Sequence, residues 1–246
     1  MLIDSKQRRY LLHLRAEAEF HSHSGFVSHN DIIGSLEGSE FRTGSNAKYV
    51  VFRPTLTDHV LKMPRGAQVI YPKDLGAILM LADIHEDVHV LESGLGSGAL
   101  STALLRAGAR ITGYEIREDF AERAIENVSN FLGAAALERY DVQVRDIYEG
   151  IEGTDYDRII LDLPEPWQVV PHAMKALRRG GMIVAYNPSI IQVQQFRQAL
   201  EQGPFAMAET MEVLHRGWHV EGNAVRPDHR MVAHTGFLSH ARLLGS

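Results

Sequence analysis

The sequence predicts an α/β protein, a mostly parallel sheet covered by helices, preceded by a small β-rich segment. Three observations carry that expectation. From about residue 67, apolar strand-like runs alternate with helical ones. The glycine-rich run Ser93-Gly-Leu-Gly-Ser-Gly98 falls between one such strand and one such helix. Before residue 67, helical periodicity is missing over any long stretch, and Gly25, Gly34, Gly38 and Gly44 punctuate short runs. The expected division is therefore 1–66 as a small N-terminal β domain and 67–246 as the α/β domain.

In the first segment, Tyr10-Leu-Leu-His-Leu and Lys48-Tyr-Val-Val-Phe-Arg read as strands. In the second, Asp74 is expected to cap a helix running to Asp83. Strands follow at 88–92, 110–116, 141–145, 158–163 and 182–186, with helices near 99–107, 119–132, 169–177 and 190–201. Arg179-Gly-Gly181 reads as a turn, and 205–215 and 231–244 as closing antiparallel strands.

A chain of 246 residues, 45% hydrophobic and 23% charged, can bury a sizeable core. It contains no cysteine, which excludes disulfides and thiolate metal sites or nucleophiles. The N-terminus lacks a signal-peptide core, and no apolar run approaches the roughly 20 residues that cross a bilayer. A cytoplasmic protein is expected. The net charge is −6, but residues 1–66 carry nine Lys/Arg against seven Asp/Glu, leaving 16 against 24 in the rest. Any nucleic-acid contact must therefore use local basic patches, with Arg8, Arg9, Arg53, Arg65 and Arg226 as candidates. His21, His23 and His29 lack the accompanying ligands of a metal site, so no metal is expected.

Gly94, Gly96 and Gly98 sit where an open α/β sheet binds ligands, at the carboxyl ends of its strands. Glycine there permits a tight turn and close approach to a ligand. Glu115, 21 residues after Gly94, ends the next strand, where an acid accepts from ribose hydroxyls. Asp146 follows the third strand and either accepts from an adenine amino group or caps the next segment. Together these describe an adenosine pocket. Gly94-x-Gly96-x-x-Ala99 also satisfies the looser dinucleotide fingerprint, so the loop alone leaves a nicotinamide cofactor open.

Asp162-Leu-Pro-Glu-Pro-Trp167, after the fourth strand, favours a base-modifying enzyme. Its prolines stiffen the backbone, Trp167 offers a stacking surface, and Asp162 can read the donor edge of a base. Here the sequence resembles the tRNA (adenine-58-N1)-methyltransferases of bacteria and archaea over nearly its whole length. The carriers are Phe52-Arg-Pro-Thr55, Ile70-Tyr-Pro-Lys-Asp74, Leu91–Ala99, Tyr114-Glu-Ile-Arg117, Asp162–Trp167 and His234-Thr-Gly-Phe237. Ser93 and Leu95 stand where the family has Ala and Thr, changes that backbone contacts tolerate.

The resemblance implies a class I methyltransferase domain, Rossmann-like with a mostly parallel seven-stranded sheet, S-adenosylmethionine as cofactor, tRNA as substrate and a homotetramer. It places the cofactor contacts on Gly94, Leu95, Gly96, Ser97, Gly98 and Ala99, with Glu115 and Asp146, and Asp162 at the reacting end. Tyr71 matches a family tyrosine near the reaction, so Asp162 and Tyr71 are the expected catalytic residues. Two other readings remain: a protein carboxyl (isoaspartate-type) methyltransferase of the same fold, which leaves Asp162–Trp167 unexplained, and a non-catalytic tRNA-binding subunit. The intact glycine and acidic positions argue against the second.

Overall fold

A computed structural model describes residues 1–66 and 68–245. The chain forms two compact units, Met1–Met63 and Pro64–Ser246.

The N-terminal unit contains β1 (Leu2–Asp4), β2 (Arg9–Tyr10), β3 (Glu19–Ser22), β4 (Gly25–Ser28), α1 (His29–Ile32), β5 (Glu40–Arg42), β6 (Lys48–Val51) and α2 (Leu56–Lys62). Four of these strands pair in the order β2-β1-β6-β5, while β3 and β4 form a separate hairpin. The strand expected from Tyr10 onward stops at that residue, since β1 pairs with β2 only through Arg9 and Tyr10. The helix α2 was not expected. Its signal is local: the Thr55 hydroxyl accepts from the Asp58 amide while the Asp58 carboxylate accepts from the Thr55 amide, a reciprocal cap.

The second unit runs α3 (Pro72–Leu81), β7 (His89–Ser93), α4 (Ala99–Arg106), β8 (Arg110–Glu115), α5 (Glu118–Leu132), β9 (Tyr140–Val144) and β10 (Tyr156–Leu161). It continues with α6 (Val170–Ala176), β11 (Leu177–Asn187), α7 (Ile190–Glu201), β12 (Phe205–Glu212), β13 (Trp218–Glu221), β14 (Ala224–Pro227) and β15 (Phe237–Leu243). Seven strands form one sheet in the order β12-β15-β11-β10-β7-β8-β9. From β9 to β11 all neighbours are parallel, and β15 and β12 close the edge antiparallel.

Three local readings change. Asp74 does not cap α3: Pro72 takes the first turn, where a missing N–H costs nothing, and Tyr71 is the N-cap. Arg179-Gly-Gly181 is not a turn, because β11 runs through it with a register shift against β10. Residues 231–236 precede the last strand, and the hairpin β13–β14 fills the interval between β12 and β15.

Strand order positions the site. β7 and β10 are neighbours, yet the chain leaves β7 towards β8 on one side and reaches β10 from β9. Connections diverge at that point, and the crevice left at the carboxyl ends is where open sheets bind ligands. The sheet beneath is held by an apolar layer that includes Leu91, Ile159, Leu161, Ile183, Ala185 and Phe196.

Candidate functional site

The glycine loop leaves β7 at the divergence point and Asp162 leaves β10 beside it. The Asp162 amide donates to the Ser93 carbonyl at 3.0 Å, and the Gly94 amide donates to the Tyr114 carbonyl at 3.1 Å, which ties three strand ends together. Gly94 is required by this knot: a Cβ there would lie 2.1 Å from the Asp162 carbonyl oxygen. Gly96 is the opposite case. Its φ is +52° and an added Cβ would meet nothing within 4 Å, so the loop opens onto free space there. Gly98 is the N-cap of α4.

A cleft at this point is lined by Gly94–Ser97, Ala99, Leu100, Asp162 and the segment Gln68–Ile70. Of the acids expected at the site, Glu115 is buried and accepts from the backbone amides of Gly96 and Arg117, both at 3.1 Å. It thereby fixes the loop's shape. Asp146 caps the turn after β9, accepting from the Tyr148 amide at 2.9 Å with one oxygen. Asp162 is half-buried, and its carboxylate has no hydrogen-bond partner among the described residues. Burial, with the Glu115 charge adding, pushes its carboxyl up to about 7.

The segment after Asp162 is pinned at its middle. The Glu165 amide donates to the Tyr148 phenol at 3.1 Å, and the Gln192 side chain donates to the Pro164 carbonyl at 2.8 Å. Trp167 lies half-buried in the following turn, Pro166–Val169. Tyr71 sits at the head of α3. Tyr186, near the end of β11, follows the residue paired with Leu161, so it stands beside Asp162 along the neighbouring strand.

Two residues of this neighbourhood escaped the sequence reading. Glu92 is fully buried under the loop: one carboxylate oxygen accepts from the Ser101 hydroxyl at 3.0 Å and the other has no partner among the described residues. Burial pushes it up to about 8, with Asp162 and Glu115 adding and the Ser101 bond opposing. A charge directly after the strand run Val88–Leu91, before the glycine loop, was the available signal. Tyr186 carried none, since a tyrosine ending a strand is ordinary.

The residues fit an adenosyl cofactor with a cationic centre. Among the described residues the loop is open above Gly96 and the Ser97 hydroxyl is buried without a partner, and three acids gather at one end. Such a cluster is costly when empty of positive charge and suits a sulfonium.

Comparison with known proteins agrees with this geometry. Residues 48–235 match the family described as the tRNA methyltransferase complex GCD14 subunit, and residues 1–40 match the TrmI-like N-terminal family. The chain is 36% identical over 242 residues to a tRNA (adenine(58)-N(1))-methyltransferase TrmI of Thermus thermophilus, covering 97% of this chain and 94% of that protein. It is 34% identical over 271 residues to the tRNA (adenine(57)-N(1)/adenine(58)-N(1))-methyltransferase TrmI of Methanocaldococcus jannaschii, covering 99% and 94%. Among solved structures, a SAM-dependent O-methyltransferase from Thermotoga maritima superposes with a TM-score of 0.93 at 32% identity, covering 100% of this chain and 92% of that one. The tRNA (m1A58) methyltransferase TrmI of Aquifex aeolicus gives 0.85 at 26% identity, covering 100% and 97%. With its glycine loop and Asp162 meeting at the sheet's divergence point, and with matches across nearly its whole length, the chain belongs to the tRNA methyltransferase complex GCD14 subunit family, with a TrmI-like N-terminal segment.

Proposed function

We propose that this protein transfers a methyl group from S-adenosylmethionine to N1 of adenine 58 in the T-loop of tRNA. The observation that carries the reading is the unpartnered Asp162 carboxylate, which shares one cleft with the glycine loop at the divergence point of the sheet.

Bound S-adenosylmethionine supplies an electrophilic methyl group. Adenine N1 already holds an in-plane lone pair, so the protein has no nucleophile to deprotonate; its task is alignment and exclusion of water. Gly94 to Ala99 and Glu115 form the cofactor side, with Asp146 offering its second oxygen. Asp162 accepts from the exocyclic amino group, which becomes a better donor as positive charge develops on the ring. Its raised affinity for a proton, set by burial and then Glu115, falls when positive charge arrives, so the carboxylate form is available when needed. Tyr71 walls the acceptor side. The target base lies within folded tRNA, and extracting it costs a few kcal/mol, about the energy of lost stacking and pairing. The arginines at 8, 9, 53, 65 and 226 are candidates for holding the phosphate backbone.

A homotetramer is part of the same reading. The hairpin β13–β14 exposes Trp218, Val220 and Val225, and nearby Met231 and Val232 are exposed as well. An apolar arm of this kind suits burial against other copies. A cytoplasmic site of action follows from the tRNA substrate. Among the described residues no helix is long and apolar enough to cross a membrane, and no acid–histidine cluster is arranged to hold a metal.

The test is label transfer from S-adenosylmethionine to unmodified tRNA transcripts with adenine or uridine at position 58. Transfer to the adenine transcript alone supports the reading. Equal transfer to both moves the target base. Transfer to protein but not to RNA overturns it in favour of a carboxyl acceptor.

A further inference from the structure

The motif His234-Thr-Gly-Phe237 touches neither the glycine loop nor Asp162 by hydrogen bond, yet one of its bonds holds the ring of Tyr186, at the strand position beside Asp162. The Tyr186 phenol donates to the Thr235 carbonyl at 2.7 Å. A Cβ on Gly236 would lie 2.5 Å from two ring carbons of Tyr186 and 2.8 Å from its oxygen, so the ring rests directly on the Gly236 backbone. No other residue fits there without displacing the ring.

The same turn is knotted to the head of α3. The Thr235 hydroxyl donates to one oxygen of Asp74 at 2.6 Å and accepts from the Lys73 ammonium at 2.5 Å. Lys73 also bonds the other oxygen of Asp74 at 2.8 Å, and the two side chains are 5% and 0% exposed. A buried ion pair is a poor source of stability but a good source of unique geometry. Here it fixes the helix that begins just after Tyr71 to the turn that grips Tyr186.

The two ends of the turn are anchored too. One His234 ring nitrogen meets the Glu212 carboxylate at 2.7 Å and the other meets the Pro188 carbonyl at 3.0 Å, two acceptors that suit a doubly protonated ring. The ring also packs on Phe237 with centroids 4.8 Å apart. Phe237 in turn pairs with Asn187, the residue after Tyr186.

We propose that the turn His234–Phe237, with the buried Lys73–Asp74 pair, is a brace that positions Tyr186 as the floor of the acceptor pocket beside Asp162. Thr235 and Gly236 are positioning residues; Tyr186 meets the acceptor base through its ring. Its hydroxyl is already committed to the Thr235 carbonyl, and burial pushes the phenol up to about 12, so it takes no part in proton transfer. The proposal rests on the adenine-methylation reading above.

The experiment is single-turnover methylation of an adenine-58 tRNA transcript with labelled S-adenosylmethionine, alongside the Kd for S-adenosylmethionine. It compares wild type with G236A, Y186L, G236A/Y186L, T235V and T235S. G236A is expected to slow transfer about 100-fold, the size of loss that about 1 Å of misplacement brings, while cofactor affinity holds. On the Y186L background, where the clash is gone, the same substitution costs less than about threefold because the two residues act as one unit. T235V slows transfer about 10-fold and T235S restores it, since serine keeps the hydroxyl that serves both Asp74 and Lys73. Wild-type rates in G236A, an equal loss on both backgrounds, or like behaviour of T235V and T235S overturns the brace. If G236A fails to fold, the threonine pair decides. If wild type transfers no label to tRNA, the methylation reading itself falls; an active wild type with an equally active G236A removes only the brace.

Discussion

The two units of this chain solve stability differently. The N-terminal unit has a small apolar cluster of Leu2, Val27, Ile32 and Tyr49, with Tyr10 and Phe20 packed on it. It leans on polar bonds: Asp4 accepts from the amides of Lys6 and Arg8, the Arg8 guanidinium and the Tyr10 phenol. The second unit buries a broad layer on a parallel sheet, and its polar bonds gather at the strand ends, where the candidate chemistry is. A large core can carry unpaired or neutralised acids at a site. A small one uses its acids to hold itself together.

The largest effect expected from this contrast is catalytic. Asp162→Ala should cost about 10²–10³ in kcat, the range for removing one preorganised partner of developing charge. Affinity for tRNA should stay close to wild type and the melting temperature should not fall, because the sheet below does not depend on the carboxylate and its buried ionised form opposes folding. Steady-state methylation of tRNA with a parallel melting curve checks this, and unchanged turnover would remove Asp162 from the mechanism.

Core truncations sharpen the comparison next. Leu91→Ala, in the broad layer, should cost about 2–5 kcal/mol in a cooperative transition and weaken S-adenosylmethionine binding as the sheet loosens. Leu2→Ala should cost a similar amount but act on the N-terminal unit, leaving the cofactor Kd within about twofold. Denaturant melts followed by tyrosine and tryptophan fluorescence, with calorimetric binding, separate the two. Equal loss of cofactor affinity would mean that the units do not respond independently.

The smallest and most diagnostic effect is in pH dependence, where the two units should respond in opposite directions. Burial pushes the Asp4 carboxyl up, but the bonds from Arg8 and Lys6 outweigh it and hold the group below its usual value. Such a carboxylate contributes stability that is present above about pH 4 and lost as pH falls through the depressed folded value. Asp162 and Glu92, raised to about 7 and about 8, do the reverse. Their contribution is full below about pH 4 and is lost as pH rises through those values. Asp4→Asn should therefore flatten the acid limb of a Tm-against-pH curve, and Glu92→Gln the limb from about pH 5 to 8. Parallel curves for both variants would erase the distinction.

Much of the second unit is legible in the residues because strand and helix periods alternate cleanly there. The helix over 190–201 is read from its apolar spacing and matches Ile190–Glu201, helped by the reciprocal Ser189–Gln192 cap. The hairpin β13–β14 is not legible: its strands are four residues each and largely exposed, so no core face imposes a period. In the N-terminal unit the strands are two to four residues long, too short to show alternation. The candidate site divides the same way. The glycine loop, Glu115 and Asp162 stand at strand ends that the sequence marks, whereas Tyr186 and the Thr235–Gly236 turn meet across about fifty residues of chain.

The α/β alternation, the glycine loop with its acids and the Asp162–Trp167 segment are each written in local periodicity and spacing. Only the folded chain shows which glycine holds the strands together and which faces open space, that both Glu115 oxygens but one of Asp146 are already taken, and that a lysine–aspartate pair near residue 73 is locked to a turn near residue 235. The physical reason is that close approach and hydrogen-bond satisfaction are properties of pairs of atoms, and the partners here are supplied by strands and turns far apart in the chain.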